Sequence, residues 1–275
     1  MTDKSPREYA CAGTIEEANR LEFQAKAQEV IIRKELEAIE LRSGIQVLDA
    51  GCGTGAISRM IAREIAPGKV YGVDIDPVFI GEAERLATKK DFRNIHYQLG
   101  DIGNLEFDDD FFDVTYCRLV LMHVKDPVSV LSEFKRVTKQ NGIIAVSDFD
   151  DGAIVVYPPF PKGAKLWDKF GEMAKSRGDD RYIGRKLFSF FSQIGLESIK
   201  IIPVPIVFTQ QAPHLLQLAM SVPIELLRTE KEALISQGYT TGQDYEEGLE
   251  EINQFLKHPG AFFMTTSFIA TGRVP

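Results

Sequence analysis

The chain has 275 residues, of which 44% are hydrophobic, enough to bury a sizeable core. Its net charge of −8 disfavours nucleic-acid binding, because phosphate recognition needs clustered Lys and Arg. The sequence shows neither an apolar run long enough to span a membrane nor a secretory signal, and its three cysteines have no disulfide or metal-site spacing. We therefore expect a cytoplasmic globular protein without a bound metal.

A helical segment is predicted at the start of the chain. Thr14 and Glu17 have the spacing of a capping box, in which each residue satisfies a free backbone N–H at a helix start. Apolar residues at helical spacing then extend the prediction from about Ile15 to Leu41. We expect residues 1–41 to form a helical cover. Such a segment either packs on a sheet edge or contacts a ligand, and the sequence leaves both roles open.

Strands alternate with helices in the next hundred residues. Two of the helices begin with an Asp-Pro pair, at Asp76 and Asp126, where aspartate caps and proline suits the first turn. Such βα repeats form parallel strands with helices on both faces of the sheet. The predicted strands of this core, residues 42–150, are Ile45–Asp49, Lys69–Asp74, Ile95–Gly100, Phe112–Arg118 and Ile143–Asp148.

The second half of the chain, residues 151–275, is less regular. It contains two further strand patterns, Leu196–Phe208 and Phe262–Gly272, and helical insertions at about 152–182 and 213–258. No linker marks a domain boundary. We therefore predict a single doubly wound α/β domain over residues 1–275, with a mostly parallel seven-stranded sheet and insertions that form a helical lid.

The strongest motif follows the first predicted strand. It reads Val47-Leu48-Asp49-Ala50-Gly51-Cys52-Gly53-Thr54-Gly55 and leads into a helix. Glycines in such a turn adopt positive φ and let a ligand approach the main chain. Ligands of open parallel sheets bind at this edge, beyond the carboxyl ends of the strands. The motif therefore predicts a ligand-binding turn.

Two ligand classes fit the turn. Gly51, Gly53 and Ala56 satisfy the dinucleotide pattern G-x-G-x-x-G/A, so a nicotinamide enzyme remains possible. Asp49, however, favours a ligand with an ammonium group, since its charge repels a pyrophosphate. Further acids follow the next two strands, at Asp74 and Asp101.

These segments resemble the motifs of class I S-adenosylmethionine-dependent methyltransferases of the small-molecule type. VLDAGCGTG is similar to the first motif of that superfamily, and YGVDID, LGDIGNLEF, FDVTYCRLVLMHV and KRVTKQNGIIAVSDFD are similar to the segments that follow it. The N-terminal EYACAGTIEEANRLEFQ is similar to a cover found in small-molecule members. The resemblance covers about residues 42–150 firmly, and it does not identify a subfamily.

The resemblance implies a role for each matching residue. Asp74 would hold the ribose hydroxyls, Asp101 would face the adenine amino group, and Ile102 would pack on the adenine ring. Arg118 would lie near the methionine moiety. The full set of implied cofactor-binding residues is Tyr9, Gln24, Asp49, Gly51, Gly53, Gly55, Asp74, Ile75, Asp101, Ile102 and Arg118.

The implied reaction is methyl transfer from S-adenosylmethionine to a small molecule, with S-adenosylhomocysteine as product. Because the sulfonium methyl is already activated, alignment and exclusion of water are the main tasks and a general base is optional. His123 is the candidate base, although a packing role fits it as well. The alternatives that stay open are a nicotinamide-dependent oxidoreductase, a non-catalytic S-adenosylmethionine-binding protein, and a methyltransferase with a protein acceptor.

Overall fold

The computed structural model describes residues 13–275 and divides into two compact units. The sheet unit comprises the described residues up to Ser147 together with Lys186–Ile202 and Ile269–Pro275. The insertion unit comprises Asp148–Arg185 and Pro203–Phe268. The assignment of residues 1–275 to a single domain stays a prediction.

Two helices form the N-terminal segment. Helix α1, Ile15–Ala27, begins at the predicted cap, where the Thr14 side chain accepts a hydrogen bond from the Glu17 N–H. Helix α2 covers Glu29–Glu37. The prediction of one helix from Ile15 to Leu41 was wrong, because Gln28 leaves the helical region with φ of −98° and ψ of 11° and the second helix ends at Glu37.

The remaining elements of the sheet unit follow the predicted alternation. Asp76 and Asp126 cap helices as expected, Asp76 accepting hydrogen bonds from the Val78 and Phe79 N–H groups and Asp126 accepting one from the Ser129 N–H. The elements are β1 Gln46–Ala50, α3 Ala56–Ile65, β2 Lys69–Asp74, α4 Pro77–Lys89, β3 Ile95–Leu99, β4 Phe112–Arg118, α5 Pro127–Val137, β5 Thr138–Phe149 and, after the first insertion, α7 Leu187–Gln193, β7 Glu197–Thr209 and β8 Phe262–Arg273. The last residues of β5, the later residues of β7 and the first residues of β8 belong to the insertion unit.

The strand order places β1 at the topological switch point. The order is β3-β2-β1-β4-β5-β8, with β7 also paired to β8. The pairs β3-β2, β2-β1, β1-β4 and β4-β5 are all parallel. From β1 the chain goes on to β2 on one side and later to β4 on the other, so a crevice is expected beyond the ends of β1 and β4. The predicted doubly wound α/β fold is confirmed.

The core of the sheet unit lies between the sheet and helices α2 and α3. Ile32 and Leu36 of α2 and Ile61 of α3 are fully or almost fully buried against Val47 of β1 and Tyr116 of β4. Their spacing on each helix, three or four residues apart, gives one apolar face. This packing holds the N-terminal segment and the start of α3 on the same sheet that carries the glycine-rich turn.

The insertion unit has its own apolar cluster. Phe170, Met173, Leu227, Tyr245 and Phe255 are among its buried members. The unit contains a short strand that the sequence analysis missed, because three residues carry too little pattern. Its elements are β6 Val155–Tyr157, α6 Pro161–Arg177, α8 Pro213–Thr229, α9 Lys231–Ser236 and α10 Gly242–Lys257.

Strand β6 pairs antiparallel with Phe262–Met264 of β8, so the sheet has eight strands instead of the expected seven. Among residues 13–275, no helix combines the length and apolar character needed to cross a membrane.

Candidate active site

Asp49 is a buried carboxylate at the end of the central strand. Only 2% of its surface is exposed, and its Oδ2 accepts a hydrogen bond from Ser58 Oγ of α3 at 2.5 Å. The pKa of Asp49 is raised to about 6, mainly by burial and also by the nearby Asp74, whereas the Ser58 hydrogen bonds and the Arg118 charge act in the opposite direction. The site thus contains an acid that changes charge near neutral pH.

Glycine is needed at the three alternating positions of the turn for different structural reasons. All three adopt positive φ, at 74° for Gly51, 52° for Gly53 and 72° for Gly55. A Cβ on Gly51 would lie 2.4 Å from Val120 Cγ2, and one on Gly55 would lie 2.1 Å from Tyr97 Oη. A Cβ on Gly53 would have only Leu21 Cδ1 near it, at 3.5 Å. Gly51 and Gly55 are therefore required by packing, and Gly53 is the position with open space above the backbone.

Asp74, at the end of β2, holds the turn from the side. Its Oδ2 accepts a hydrogen bond from the Gly53 N–H at 2.7 Å, and its Oδ1 accepts one from the Asp76 N–H at 3.0 Å. Burial raises the pKa of Asp74, while these backbone hydrogen bonds lower it. The side chain that follows, Ile75, is 52% exposed, so an apolar surface lies beside the carboxylate.

The loop after β3 carries the third predicted acid. Asp101 is exposed, and its Oδ1 accepts a hydrogen bond from the Gly103 N–H at 2.8 Å. Ile102 is half-buried. Asp101 also lines a small cavity of about 120 Å³ with Val73 of β2 and residues of its own loop. In the parallel pairing of β2 and β3, Asp74 lies opposite Leu99, two residues before Asp101. The ends of β2 and β3 thus bring both acids to one edge of the sheet.

Arg118 ends β4 and is held by a carboxylate that sequence reasoning missed. Its Nε donates to Glu35 Oε2 at 2.7 Å, and its Nη2 donates to Gln28 Oε1 at 2.8 Å. The side chains of Arg118 and Glu35 are 6% and 0% exposed. One signal was available, because Glu35 occupies the apolar face of α2 next to Ile31, Ile32 and Leu36, where a charged residue needs a partner.

A second unpredicted group joins α1 to the turn. Arg59 of α3 donates to both carboxylate oxygens of Glu22, at 2.6 and 2.7 Å, and to the Thr54 carbonyl oxygen at 2.7 Å. Thr54 Oγ1 also donates to Glu22, at 2.7 Å. Helix α1 is therefore bonded directly to the glycine-rich turn.

Gln24, Tyr9 and His123 are the candidate site residues outside the strand ends and the glycine-rich turn. Gln24 lies on α1 with its side-chain oxygen bonded to Arg20 at 2.7 Å, and Tyr9 lies outside the described residues. His123 is half-buried in a short 3₁₀ turn, Leu121–His123, that follows β4. Its position at this edge of the sheet agrees with the expectation, and its role as a base stays a prediction.

The donor set suits a zwitterionic nucleoside-like ligand. The buried Asp49 offers a negative charge for an ammonium group, Arg118 offers a positive one for a carboxylate, and the N-terminus of α3 points its free backbone N–H groups into the same region. The open backbone at Gly53 leaves space for close approach. Among the described residues, no group of three or more His, Cys, Asp or Glu side chains is placed to hold a metal ion.

Comparison with protein families gives a match over this region. Residues 41–182, more than half of the chain, match the family described as Methyltransferase domain. The matched range includes β1 to β5 and every candidate site residue from Asp49 to His123.

Two curated relatives each match less than half of the chain. An uncharacterized methyltransferase of Schizosaccharomyces pombe is 34% identical over 119 residues, which cover 41% of this chain and 43% of the relative. A demethylmenaquinone methyltransferase of Listeria monocytogenes is 35% identical over 118 residues, which cover 42% of this chain and 50% of the relative. The chain therefore matches no more than half the length of either relative.

A solved structure extends the likeness beyond the matched sequence. Phosphoethanolamine N-methyltransferase 2 of Haemonchus contortus, in complex with phosphomonomethylethanolamine and S-adenosylhomocysteine, has a TM-score of 0.58 at 17% identity. The superposition covers 89% of this chain and 52% of that one. At this identity the likeness shows a shared Rossmann-like α/β fold.

Proposed function

Since this chain belongs to the methyltransferase domain family, in the class I group that uses S-adenosylmethionine, we propose that it transfers the methyl group of that cofactor to a small molecule. The observation that carries the proposal is the buried carboxylate of Asp49 beside the glycine-rich turn, at the switch point of the sheet. An ammonium group is attracted there, whereas the pyrophosphate of a dinucleotide is repelled.

Each predicted site residue has a place in this proposal. Asp49 pairs with the ammonium group of the methionine moiety, and Arg118 faces its carboxylate. Asp74 accepts hydrogen bonds from both ribose hydroxyls, which a free ribose offers and a phosphorylated one does not. Ile75 and Ile102 pack on the adenine ring, and Asp101 faces its amino group. The main chain of the turn at Gly51, Gly53 and Gly55 lies along the cofactor. Tyr9 and Gln24 approach the cofactor from the N-terminal cover.

The protein's contribution to the reaction is positioning. When bound, S-adenosylmethionine supplies an already activated sulfonium methyl for an in-line displacement. Holding donor and acceptor in line can lower such a barrier by about 7–11 kcal/mol, and Asp49 and Arg118 contribute to this by fixing the methionine moiety of the donor. An amine or thiolate acceptor needs no base. For a hydroxyl acceptor we propose His123 as the residue that takes the proton.

Charge and relatives support a small-molecule acceptor. The net charge of −8 disfavours a nucleic-acid substrate. The names of several relatives point the same way: the demethylmenaquinone methyltransferase of Listeria monocytogenes and an arsenite methyltransferase of Halobacterium salinarum are named for small molecules, and one of Pectobacterium atrosepticum is named for a malonyl group on acyl-carrier protein. We also propose a cytoplasmic location, which the free thiol of the buried Cys52 supports, since disulfides are rare in reducing compartments.

Calorimetric titration with S-adenosylhomocysteine and, separately, with NADH tests the proposal. We expect saturable binding of the homocysteine compound and none of NADH. Transfer of labelled methyl to a panel of amines, phenols, quinols and thiols then identifies the acceptor class, with a protein extract as the comparison. Binding of NADH alone would identify an oxidoreductase, and binding without transfer to any acceptor would identify a non-catalytic protein.

A further inference from the structure

Glu35 is a buried charge on the apolar face of helix α2. Its side chain is fully buried, and a carboxylate in such a place is costly unless it is paired and hydrogen-bonded. Its hydrogen-bond donors within residues 13–275 include Tyr116 Oη at 2.9 Å, Arg118 Nε at 2.7 Å and Ser147 Oγ at 2.7 Å. We call these four residues, together with Gln28, the Glu35 network.

The sheet register explains why the three donors meet. Tyr116 and Arg118 are two residues apart on β4 and therefore point to the same face. Ser147 of β5 lies directly opposite Arg118 in the parallel ladder. The Glu35 carboxylate is thus hydrogen-bonded by residues near the carboxyl ends of β4 and β5. This is the edge of the sheet to which the glycine-rich turn also belongs.

The guanidinium of Arg118 stands between two carboxylates. Glu35 and Gln28 hold its Nε and Nη2 from the helix side. On the strand side, its charge is close enough to Asp49 to lower the pKa of that carboxyl. A direct Arg118–Asp49 ion pair would neutralise the group that the proposed function assigns to the ammonium of the methionine moiety. The guanidinium instead donates its Nε and Nη2 hydrogen bonds to Glu35 and Gln28.

We propose that Glu35 is a positioning residue, which fixes Arg118 so that Asp49 and Arg118 present opposite charges to the two ends of the amino-acid moiety of S-adenosylmethionine. This inference rests on the proposed function and deepens it. It gives the N-terminal helix pair a role in recognising the amino-acid part of the cofactor, separate from any contact with adenosine.

Glu35→Gln tests the proposal, because it keeps the size of the side chain and removes its charge. Two ligands are titrated: S-adenosylhomocysteine, which carries the amino-acid moiety, and methylthioadenosine, which lacks it. We expect the variant to bind S-adenosylhomocysteine about ten-fold more weakly and methylthioadenosine within about two-fold of the unchanged protein. Equal weakening of both ligands, or no change in either, would overturn the proposal.

A pH profile gives a second readout that a structural role would not move. Among the described residues, the groups that influence Asp49 include Ser58 of α3, Asp74 of β2 and Arg118 of β4, together with the titratable Cys52, Tyr97 and Tyr116, and those hydrogen-bonded to Glu35 include Tyr116, Arg118 and Ser147. In the unchanged protein, S-adenosylhomocysteine affinity should rise as the pH passes about 6, where Asp49 loses its proton. In Glu35→Gln the released Arg118 should shift this midpoint to lower pH. An unshifted midpoint would count against the proposal.

Two further variants separate positioning from stability. Tyr116→Phe removes one donor to Glu35 and leaves the Arg118 bond, so it should lower the melting temperature without changing the ratio of the two affinities. Gln28→Ala, at a half-buried position, should weaken S-adenosylhomocysteine binding about two- to three-fold and leave methylthioadenosine unchanged, even where Glu35→Gln fails to fold. A changed ratio of the two affinities in Tyr116→Phe, or equal weakening of both ligands in Gln28→Ala, would overturn the proposal. If the unchanged protein bound neither ligand, the proposed function itself would fail.

Discussion

The glycine-rich turn and the Glu35 network lie at the same edge of the sheet but are built in different ways. The turn is made by consecutive residues, Gly51 to Gly55, whose positive φ angles and backbone hydrogen bonds set its shape. The Glu35 network is made by single side chains from α2, β4 and β5, and the partners of Glu35 are 81, 83 and 112 residues away along the chain.

The two regions differ in whether local sequence or the tertiary fold determines their geometry. The local sequence determines the conformation of the turn, because only glycine accepts those backbone angles without strain. A charge network depends on which strands the fold brings together. We therefore expect substitutions in the turn to act through backbone geometry, and substitutions in the network to act through buried charge.

The largest effect is expected for Glu35→Ala. Removing one partner of a buried pair leaves Arg118 with an uncompensated charge, which costs about 3–5 kcal/mol of unfolding free energy. Urea denaturation measures this loss. The matched control is Glu29→Ala on the same helix, where the ion pair with Arg33 is about half exposed and should contribute less than about 0.5 kcal/mol. Similar losses in both variants would remove the distinction between the two sites.

The next effect is expected for Gly55→Ala in the turn. The new Cβ would lie 2.1 Å from Tyr97 Oη, and the residue would keep a φ of 72°. Left-handed strain and overpacking together should cost about 2–4 kcal/mol. Gly53→Ala is the control, since its φ is also positive but the nearest atom is 3.5 Å away. It should lose only the strain, about 1–2 kcal/mol, so equal losses would contradict this account.

Asp74→Ala should weaken ligand binding by about 1–3 kcal/mol, the size of a lost charge-assisted hydrogen bond. Because the ribose is common to both test ligands, S-adenosylhomocysteine and methylthioadenosine should lose affinity together. This separates Asp74 from Glu35, whose replacement by Gln should affect only the first ligand. An unchanged dissociation constant would mean that the ribose is held elsewhere.

The smallest effect is the pH dependence caused by Asp49. Below its pKa of about 6 the carboxyl is neutral, so S-adenosylhomocysteine affinity should fall by up to about ten-fold per pH unit as the pH is lowered. The stability of the ligand-free protein should change in the opposite direction. Burial raises the pKa above its ordinary value of 3.8, so the folded state holds the proton more tightly and stability falls as pH rises from about 4 to 6.

Asp49→Asn is the variant that tests this assignment. It should flatten both pH profiles, apart from a residual slope from Asp74, whose pKa burial also raises. Titration calorimetry and thermal melting between pH 4 and 8 measure the two profiles. A slope that survives intact in Asp49→Asn would assign the titration to another group.

The sequence predicted much of the fold because its signals are local. The bounds of β2 and β4 agree with the predicted ones, and the helix caps at Thr14, Asp76 and Asp126 are confirmed. The break at Gln28 was missed because apolar spacing continues across it. Strand β6 was missed because it depends on pairing with β8, more than a hundred residues later.

The same distinction holds for the candidate site. Asp49, the glycines and Asp74 are recognisable from short motifs, and their placement at one sheet edge follows from parallel strands. Glu35 and Arg59 belong to no motif, and Glu22 lies in the N-terminal segment EYACAGTIEEANRLEFQ, whose resemblance implied no role for it. A charged residue on an apolar helix face indicates a buried partner, but only the fold identifies Arg118 as the partner of Glu35.

The hydrogen bond from the Gly53 N–H to Asp74 has a kinetic consequence. The turn is already hydrogen-bonded to the carboxylate that we assign to the ribose, so ligand binding does not have to order a flexible loop. Association should therefore be a single fast phase, limited by encounter with a preorganised surface, and differences in residence time among ligands should arise mainly from dissociation.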